Sequence, residues 1–273
     1  MLRRFFGWCV ERHLIETNPA AAVRKPSKEQ SRSRALTDDE LREVWLASEK
    51  LGWPFGPFVR ALVLTGQRRN EVAGMTWPEI DVSNQQWVIP AARTKNGKEH
   101  IVPLSPSMRV LLDKSPRFAS ASDSPAGDTE PVTGATDDER EGLVFTTTGK
   151  TPISGFSRAK ANLDLEIVKA RRSDAESAGR DPKRVKPMPG WTLHDLRRSC
   201  ATGMGQIGIY PHVIETVLNH SSGFRAGIAG VYQRQPYQEE RRQALDLWAA
   251  HLTRIVAPRE PKANVISFRG ARA

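Results

Sequence analysis

Residues 190–208 read GWTLHDLRRSCATGMGQIG and combine a helix start signal with charged side chains in the turn that follows. Thr192 and Asp195 have the spacing of a capping box, with Asp in place of the usual Glu or Gln. We therefore expect a helix that begins near residue 192. His194 and Arg197 lie three positions apart on it, so their side chains project from one face.

The pair formed by His194 and Arg197 is suited to hold one small anion. A helix N-terminus adds free backbone N–H groups and the positive end of the helix dipole. Sites of this kind commonly bind phosphate. Taken alone, the pattern HxxR also fits a structural ion pair or a solvated helix face. Its meaning depends on which residues the fold brings beside it.

The composition favours a polyanionic partner. The 273 residues include 41 Lys and Arg against 31 Asp and Glu, a formal net charge of +10. This balance favours nucleic acid, although a merely basic protein has the same charge. Cys9 and Cys200 lie far apart without CxxC spacing, so neither a disulfide framework nor a cysteine zinc site is predicted.

No segment is predicted to enter a membrane. The N-terminal stretch MLRRFFGWCVERH has a basic tip, but charge soon interrupts its short apolar run, unlike an export signal. No later stretch reaches the roughly 20 apolar residues of a membrane helix. We expect a soluble, cytoplasmic protein that makes no membrane contact.

Changes in composition divide the chain into segments. Residues 1–23 contain one helix, predicted from the helical apolar period of residues 2–14, and residues 24–35 form a basic linker. Residues 36–255 form the main domain, and residues 256–273 form a basic tail. Within the main domain, residues 119–141 hold seven acidic side chains against one basic, which predicts a disordered insertion.

The main domain is predicted to be α+β and mainly α-helical. Thr37 and Glu40 have capping-box spacing, and a second helix ends at Gly66, the residue type best able to adopt a left-handed C-cap. Ser105 caps another helix, with Pro106 at its first position. Further helices are expected at 154–170, from 192, from Pro211 and at 237–252.

A small antiparallel sheet is predicted between the helices. Residues 86–104 predict two strands joined by a tight turn at Asn96-Gly97, a strong hairpin signal. This turn would place Lys95 beside it, with Lys98 on its other side. Residues 142–145 predict one more short strand.

Five separated motifs follow one another along the main domain. They are TGQRRNEV at 65–72, TKNGKEHIVPL at 94–104, HDLR at 194–197, LNHSSG at 218–223 and VYQR at 231–234. In this order and at these spacings they resemble the catalytic domain of the tyrosine recombinases, the phage-type integrases. The resemblance covers residues 36–252 and is closest to integrases of prophages and genomic islands.

The resemblance implies a tyrosine nucleophile and two arginines that bind the scissile phosphate. Tyr232 would attack a DNA phosphodiester and form a 3′-phosphotyrosyl link, which a second 5′ hydroxyl can reverse. A phenol has an ordinary pKa of about 10, and negative charge gathers on the non-bridging oxygens during attack. Arg68 and Arg197 would offset that charge with forked hydrogen bonds.

The resemblance also implies three residues that handle protons or hold the phosphate. His194 would accept the tyrosine proton, His220 would hydrogen-bond a phosphate oxygen, and Lys95 would protonate the departing 5′ oxygen. This chemistry needs neither a metal ion nor a nucleotide cofactor. The remaining histidines share no ligand spacing and are interpreted as surface or core residues: His13, His100, His212 and His251.

Neighbouring residues compete for some of these roles. Arg69 follows the selected arginine and is interpreted as a DNA backbone or surface contact, because the family pattern TGxR selects the first of the two. Lys98 flanks the same turn as the selected lysine. Tyr237 is the rival nucleophile, although the context GVYQR favours Tyr232.

Two more residues are expected to support the site. Glu71 would steady the turn that carries the first arginine, with a plain helix-face carboxylate as the alternative. Trp191 would shape the site without a catalytic role. The tryptophans inside predicted elements are interpreted as core residues: Trp45, Trp77, Trp87 and Trp248.

The resemblance implies double-stranded DNA attachment sites as substrate and a homotetramer on DNA, with a host DNA-bending protein or an excisionase as a possible partner. Residues 1–23 would be the remnant of a core-binding domain that is otherwise absent, so we expect weak DNA affinity. Two alternatives remain: a truncated integrase that binds DNA with little or no catalysis, and a type IB topoisomerase, which the spacing of LNHSSG and GVYQR disfavours.

The last predicted helix carries an apolar stripe formed by Leu245, Trp248, Ala249 and Leu252. Its ordinary interpretation is packing on the protein's own core. The alternative is that the stripe, or the basic tail that follows, is passed to a neighbouring subunit, as the family often does.

Overall fold

Helices dominate the part of the chain that the computed structural model describes, which comprises residues 2–23, 34–118, 131–132, 142–220 and 237–258. The chain divides into two compact units, Met1–Ser33 and Arg34–Ala273. In the first unit, helix α1 spans Leu2–Glu11 and buries Cys9. The predicted helix over residues 2–14 therefore ends three residues early.

The second unit contains the other described helices. They are α2 (Asp38–Lys50), α3 (Phe55–Thr65), α4 (Arg69–Ala73), α5 (Pro106–Asp113), α6 (Phe156–Ser177), α7 (Leu193–Gln206), α8 (Pro211–Val217) and α9 (Gln238–Val256). The predicted caps are confirmed: Thr37 and Glu40 form a capping box, and the Ser105 side chain accepts from the Met108 N–H. Helix α6 extends seven residues beyond its predicted end at 170.

The core is built around α3, most of which is buried. Helices α2, α7 and α9 contact it, and α5 covers another part of its surface. Phe58 of α3 meets Phe145 edge-on, with ring centroids 5.8 Å apart. Trp248 of α9 is fully buried, and its indole N–H donates to the Val63 carbonyl at 2.8 Å.

The apolar stripe of α9 lies in the protein's own core. Leu245, Trp248, Ala249 and Leu252 are each at most 3% exposed, because α9 packs against α2, α3, α7 and α8. The ordinary interpretation of the stripe is confirmed. The alternative in which the stripe is passed to a neighbouring subunit stays a prediction, and the basic tail from residue 259 lies outside the described residues.

The main sheet has three antiparallel strands in the order β1 (Ile80–Asp81), β2 (Gln86–Ile89) and β3 (His100–Pro103). The predicted hairpin is confirmed. A turn forms at Asn96-Gly97, where the Gly97 N–H donates to the Thr94 carbonyl at 3.3 Å, but the prediction that this turn joins the strands directly is wrong. The last pair of the register is Ile89 with His100, so the ten residues 90–99 form the connection. Pro90 cannot donate a ladder hydrogen bond, and a short 3-10 turn follows it. The lysine motif therefore lies on a long loop.

One other prediction needs correction. Residues 142–145 form a single bridge between Leu143 and Thr76 and not a strand, although the Val144 N–H still donates to the Met75 carbonyl at 2.8 Å. Within the insertion over residues 119–141, residues 131–132 (β5) pair with Arg117–Phe118 (β4), and its disorder stays a prediction.

The rest of the insertion lies outside the described residues, as does most of the basic linker. Within the described ranges, no helix is both long enough and apolar enough to cross a membrane.

A substitution at Gly203 would test how closely α7 packs against α9. A Cβ at this position would lie 2.3 Å from the fully buried ring of Trp248. We expect Gly203→Ala to lower the free energy of unfolding by about 1–3 kcal/mol through overpacking, measured by thermal and urea denaturation.

Gly205 of the same helix is the matched control. It is exposed, and its added Cβ would meet only the Ile214 side chain at 3.8 Å. Gly205→Ala should be neutral or gain about 0.5–1 kcal/mol, because Ala favours a helix interior over Gly. Equal melting temperatures for the two variants would contradict the close packing at Gly203.

Candidate active site

The first turn of α7 is fixed by Asp195. Its buried carboxylate accepts from the Thr192 N–H at 2.8 Å and from the Thr192 hydroxyl at 3.0 Å, and it pairs with Arg198 at 2.6 Å. Burial raises the pKa of Asp195, but these hydrogen bonds outweigh that effect and hold the pKa below its usual value. The predicted helix start is confirmed, and it places His194 and Arg197 on α7.

Arg197 is almost fully buried, at 4% exposed. One guanidinium nitrogen donates to the Gly66 carbonyl at 2.8 Å, and the other donates to the Leu218 carbonyl. Burial and the nearby charge of Arg68 lower the pKa of Arg197 to about 10. The guanidinium therefore stays charged at neutral pH.

Gly66 ends α3 in the left-handed conformation, with φ of 63°, as its sequence position predicts. A Cβ there would lie 2.8 Å from the Cys200 sulfur and 2.9 Å from a Leu218 methyl. Both the backbone angle and the space therefore require glycine. This turn sends the chain directly into Arg68.

Arg68 is held by Glu71, as the sequence predicts. The Glu71 carboxylate accepts from the Arg68 backbone N–H at 3.0 Å and from its guanidinium at 2.9 Å. Glu71 is only 4% exposed, whereas the side chain of Arg68 is 23% exposed. A second guanidinium nitrogen of Arg68 donates to the Asn219 carbonyl at 3.2 Å. These contacts fix the arginine while part of it still faces solvent.

Lys95 lies on the loop between β2 and β3 and is exposed. The loop is anchored beside it, because the Thr94 hydroxyl contacts the Lys98 carbonyl at 2.7 Å. Arg93 donates to the backbone carbonyl of Glu71 and pairs with Glu79. The lysine loop is therefore tied to the turn that carries the first arginine.

Arg68, Lys95 and His194 line one open pocket of about 740 Å³. The rival Arg69 also lines this pocket and lies over the Phe156 ring at 4.6 Å. Trp191 forms part of its wall, which confirms the expectation that this residue shapes the site. The sequence-distant arginine, lysine and histidine motifs thus meet in one place.

His194 is favoured in its neutral form. Partial burial lowers its pKa, and the charges of Arg198, Arg197 and Arg68 lower it further against the opposing effect of Asp195. A neutral imidazole accepts a proton. The electrostatics of the pocket therefore suit His194 to receive a proton from a group bound there.

His220 follows α8 and is partly exposed. Its backbone N–H donates to the Glu215 carbonyl at 3.0 Å, and its Nδ1 lies 3.2 Å from the Glu215 carboxylate. Among the described residues it does not line the pocket. It follows Asn219, whose carbonyl binds Arg68.

Tyr232, the predicted nucleophile, lies outside the described residues. Its rival Tyr237 is described and precedes α9 with φ of 62°. The Tyr237 ring lies against His212, with centroids 5.0 Å apart. The choice between the two tyrosines stays a prediction.

Sequence reasoning missed two residues at the site. Lys160 of α6 lines the pocket, pairs with Asp164 at 2.5 Å and lies over the Trp191 ring at 4.0 Å. Its i, i+4 spacing from Asp164 predicts only a surface pair. The other is Asn219. Its position before His220 in the motif LNHSSG gave no reason to single it out.

The phage integrase family matches residues 34–234 of the chain. The prophage integrase IntA of Escherichia coli (strain K12) is 29% identical over 189 residues, which cover 68% of this chain and 36% of IntA. The tyrosine recombinase XerD of Xanthomonas axonopodis pv. citri (strain 306) is 27% identical over 243 residues, covering 87% of this chain and 71% of XerD. The chain thus spans about a third of the length of IntA.

A solved structure supports the fold. A variant of the Tn1549 transposon integrase, in complex with a circular intermediate DNA, has a TM-score of 0.50 at 13% identity. The likeness covers 81% of this chain and 69% of that chain. The expected mainly helical domain with a small antiparallel sheet is confirmed.

The charges around His194 lead to a test by NMR. We expect the pKa of His194 to lie below its ordinary value of about 6.5 and to rise in Arg198→Ala. Among the nearby arginines, Arg198 lowers the His194 pKa most, and the substitution removes its charge. It also leaves the negative charge of Asp195 without its arginine partner.

The control is Arg172→Ala, which removes an exposed arginine of α6 that is not among the charges acting on His194. This change should leave the His194 titration unmoved. A His194 pKa that is insensitive to Arg198→Ala would contradict the electrostatic account.

Proposed function

Because the chain belongs to the phage integrase family, we propose that it is a tyrosine-type site-specific DNA recombinase. It cuts and rejoins DNA through a covalent 3′-phosphotyrosyl intermediate and serves the integration or excision of a mobile element. The observation that carries the proposal is the meeting of Arg68, Lys95 and His194 in one pocket. Arg197 does not line this pocket, but it is close enough for its charge to act on His194 and for the charge of Arg68 to act on it.

The two arginines would stabilise the phosphate as negative charge develops. Arg68 is steadied by Glu71 and still partly exposed, so it can fork onto a non-bridging oxygen. Arg197 is held by two backbone carbonyls and keeps its charge at neutral pH. Preorganised charge of this kind costs no rearrangement when the transition state forms.

Each proton transfer in the proposed reaction has a named donor and a named acceptor. The Tyr232 oxygen forms a bond to phosphorus and gives its proton to neutral His194, while the bond from phosphorus to the 5′ oxygen breaks. Lys95 protonates the departing 5′ oxygen, and His220 donates a hydrogen bond to a phosphate oxygen. The reverse reaction uses the same groups, with another 5′ hydroxyl as nucleophile, so no external energy source is required.

The proposed partner is double-stranded DNA carrying an attachment site. A formal net charge of +10 supports a polyanionic partner, and the similar Tn1549 integrase was solved with DNA. We propose a homotetramer on DNA in the cytoplasm, with a DNA-bending protein or an excisionase as a further partner.

A suicide substrate tests the proposal. A nicked duplex built from direct repeats flanking the encoding gene should form a covalent protein–DNA adduct, seen as a shifted band on a denaturing gel. Tyr232→Phe should abolish the adduct, and Tyr237→Phe is the matched control that should retain it. Arg197→Lys should slow adduct formation by roughly 10²–10³-fold, the effect of removing one preorganised donor.

Other outcomes point to other functions. DNA binding without any adduct would support the truncated, non-catalytic integrase. Relaxation of a plasmid that lacks an attachment site would support a type IB topoisomerase. An adduct that survives Tyr232→Phe and disappears in Tyr237→Phe would reassign the nucleophile.

A further inference from the structure

Asn219 has an unusual backbone and is almost fully buried. Its φ is 49°, a left-handed value that glycine adopts more readily than asparagine. It is 3% exposed and stands between Leu218, whose carbonyl binds Arg197, and His220. Asparagine is also enriched in this conformation, so the role of the side chain has to be judged from its contacts.

The Asn219 side chain pairs with Asn96 of the lysine loop. The Asn96 amide nitrogen donates to the Asn219 side-chain oxygen at 2.7 Å, and the reverse hydrogen bond is longer at 3.4 Å. We call this pair the amide clasp. It joins positions 123 residues apart in sequence, and Asn96 is the immediate neighbour of Lys95.

The backbone of Asn219 has a separate contact. Its carbonyl accepts from the Arg68 guanidinium at 3.2 Å. One residue therefore contacts the first arginine through its backbone and the lysine loop through its side chain. The clasp places Lys95 relative to Arg68.

Among the described contacts, the Thr94 hydroxyl bonds within the loop, whereas the clasp joins the neighbour of the lysine to a distant part of the chain. At one side of the loop, Arg93 is held by Glu71 and Glu79. At the other side, His100 Nε2 lies 3.1 Å from the Val217 carbonyl. Between these anchors, residues 94–99 include the exposed Lys95 and a left-handed Gly97, so the tip depends on the clasp for its connection to α8.

We propose that Asn96 and Asn219 are positioning residues that hold Lys95 in place before DNA binds. The proposal rests on the proposed function, because it assigns the clasp to protonation of the departing 5′ oxygen. A loop ordered in advance pays less conformational entropy when the substrate arrives. Without the clasp, the loop would occupy conformations in which Lys95 is away from the leaving group.

Two variants remove the clasp in different ways. Asn96→Ala removes the partner on the loop, and Asn219→Gly removes the carboxamide while keeping the left-handed backbone accessible. Asn84→Ala is the matched control, since Asn84 lies in the exposed turn between β1 and β2 and bonds Asp81. Unchanged thermal unfolding of each variant would show that the fold survives.

The first measurement is amide hydrogen exchange of residues 94–99 in the free protein. Both clasp variants should speed this exchange by about five- to tenfold, the equilibrium effect of one net hydrogen bond. The control should not change it. Unchanged exchange in both clasp variants would overturn the proposal, whether or not the protein cuts DNA.

The second measurement compares two suicide substrates. One has the ordinary 5′ bridging oxygen, and the other has sulfur there, which leaves as a thiolate and needs no proton donor. The clasp variants and Lys95→Ala should slow adduct formation on the oxygen substrate and regain the unsubstituted protein's rate on the sulfur substrate. In the Lys95→Ala background, Asn219→Gly should add no further loss.

The outcomes separate the clasp from the proposed function. Equal slowing on both substrates would show that the clasp acts through something other than Lys95 and would overturn the assignment. If the unsubstituted protein forms no adduct on either substrate, the proposed function fails. The hydrogen exchange result would then still decide whether the clasp holds the loop.

Discussion

A buried guanidinium holds the centre of the second unit together. Arg197 donates to the carbonyls of Gly66 and Leu218, which are the C-cap residues of α3 and α8. A buried charge is costly unless its hydrogen bonds are satisfied, and helix C-termini supply carbonyls that lack helical partners and carry partial negative charge. One side chain of α7 thus satisfies the ends of two other helices.

This junction determines where the remaining site residues lie. The chain leaves Gly66 and reaches Arg68 two residues later, and it leaves Leu218 to enter Asn219 and His220. The contact between Arg68 and the Asn219 carbonyl then joins the two exits. The phosphate-binding arginines of the proposed reaction are therefore placed by the same contacts that stabilise the helix ends, so the fold and the site share one set of interactions.

Sequence reasoning succeeded where the determining contact is local. The caps at Thr37, Ser105 and Gly66 depend on residues within three or four positions, and each forms as expected. It failed at the loop after β2, where the Asn96-Gly97 signal favoured a tight turn. Pro90 ends the ladder first, and residues far along the chain hold the loop.

The same limit explains the missed side chains. From its sequence neighbours alone, Lys160 is interpreted as one member of an ordinary surface pair on a helix. Asn219 is interpreted in the same way as an ordinary turn residue. Their roles come from Trp191 and from Asn96, which tertiary packing brings to them. Motif resemblance selected Arg68, Lys95 and His194, which line one pocket, because it compares separated positions together.

The close packing under Gly66 also determines how the protein can be labelled. The Cys200 thiol is fully buried beneath that turn, and burial raises its pKa to about 12. Only the thiolate attacks alkylating reagents, so this sulfur is inert at neutral pH. Cys9 is also buried, at 7% exposed. A cysteine introduced at the exposed Glu99 would therefore take up a fluorophore selectively, and the natural cysteines would not need to be removed.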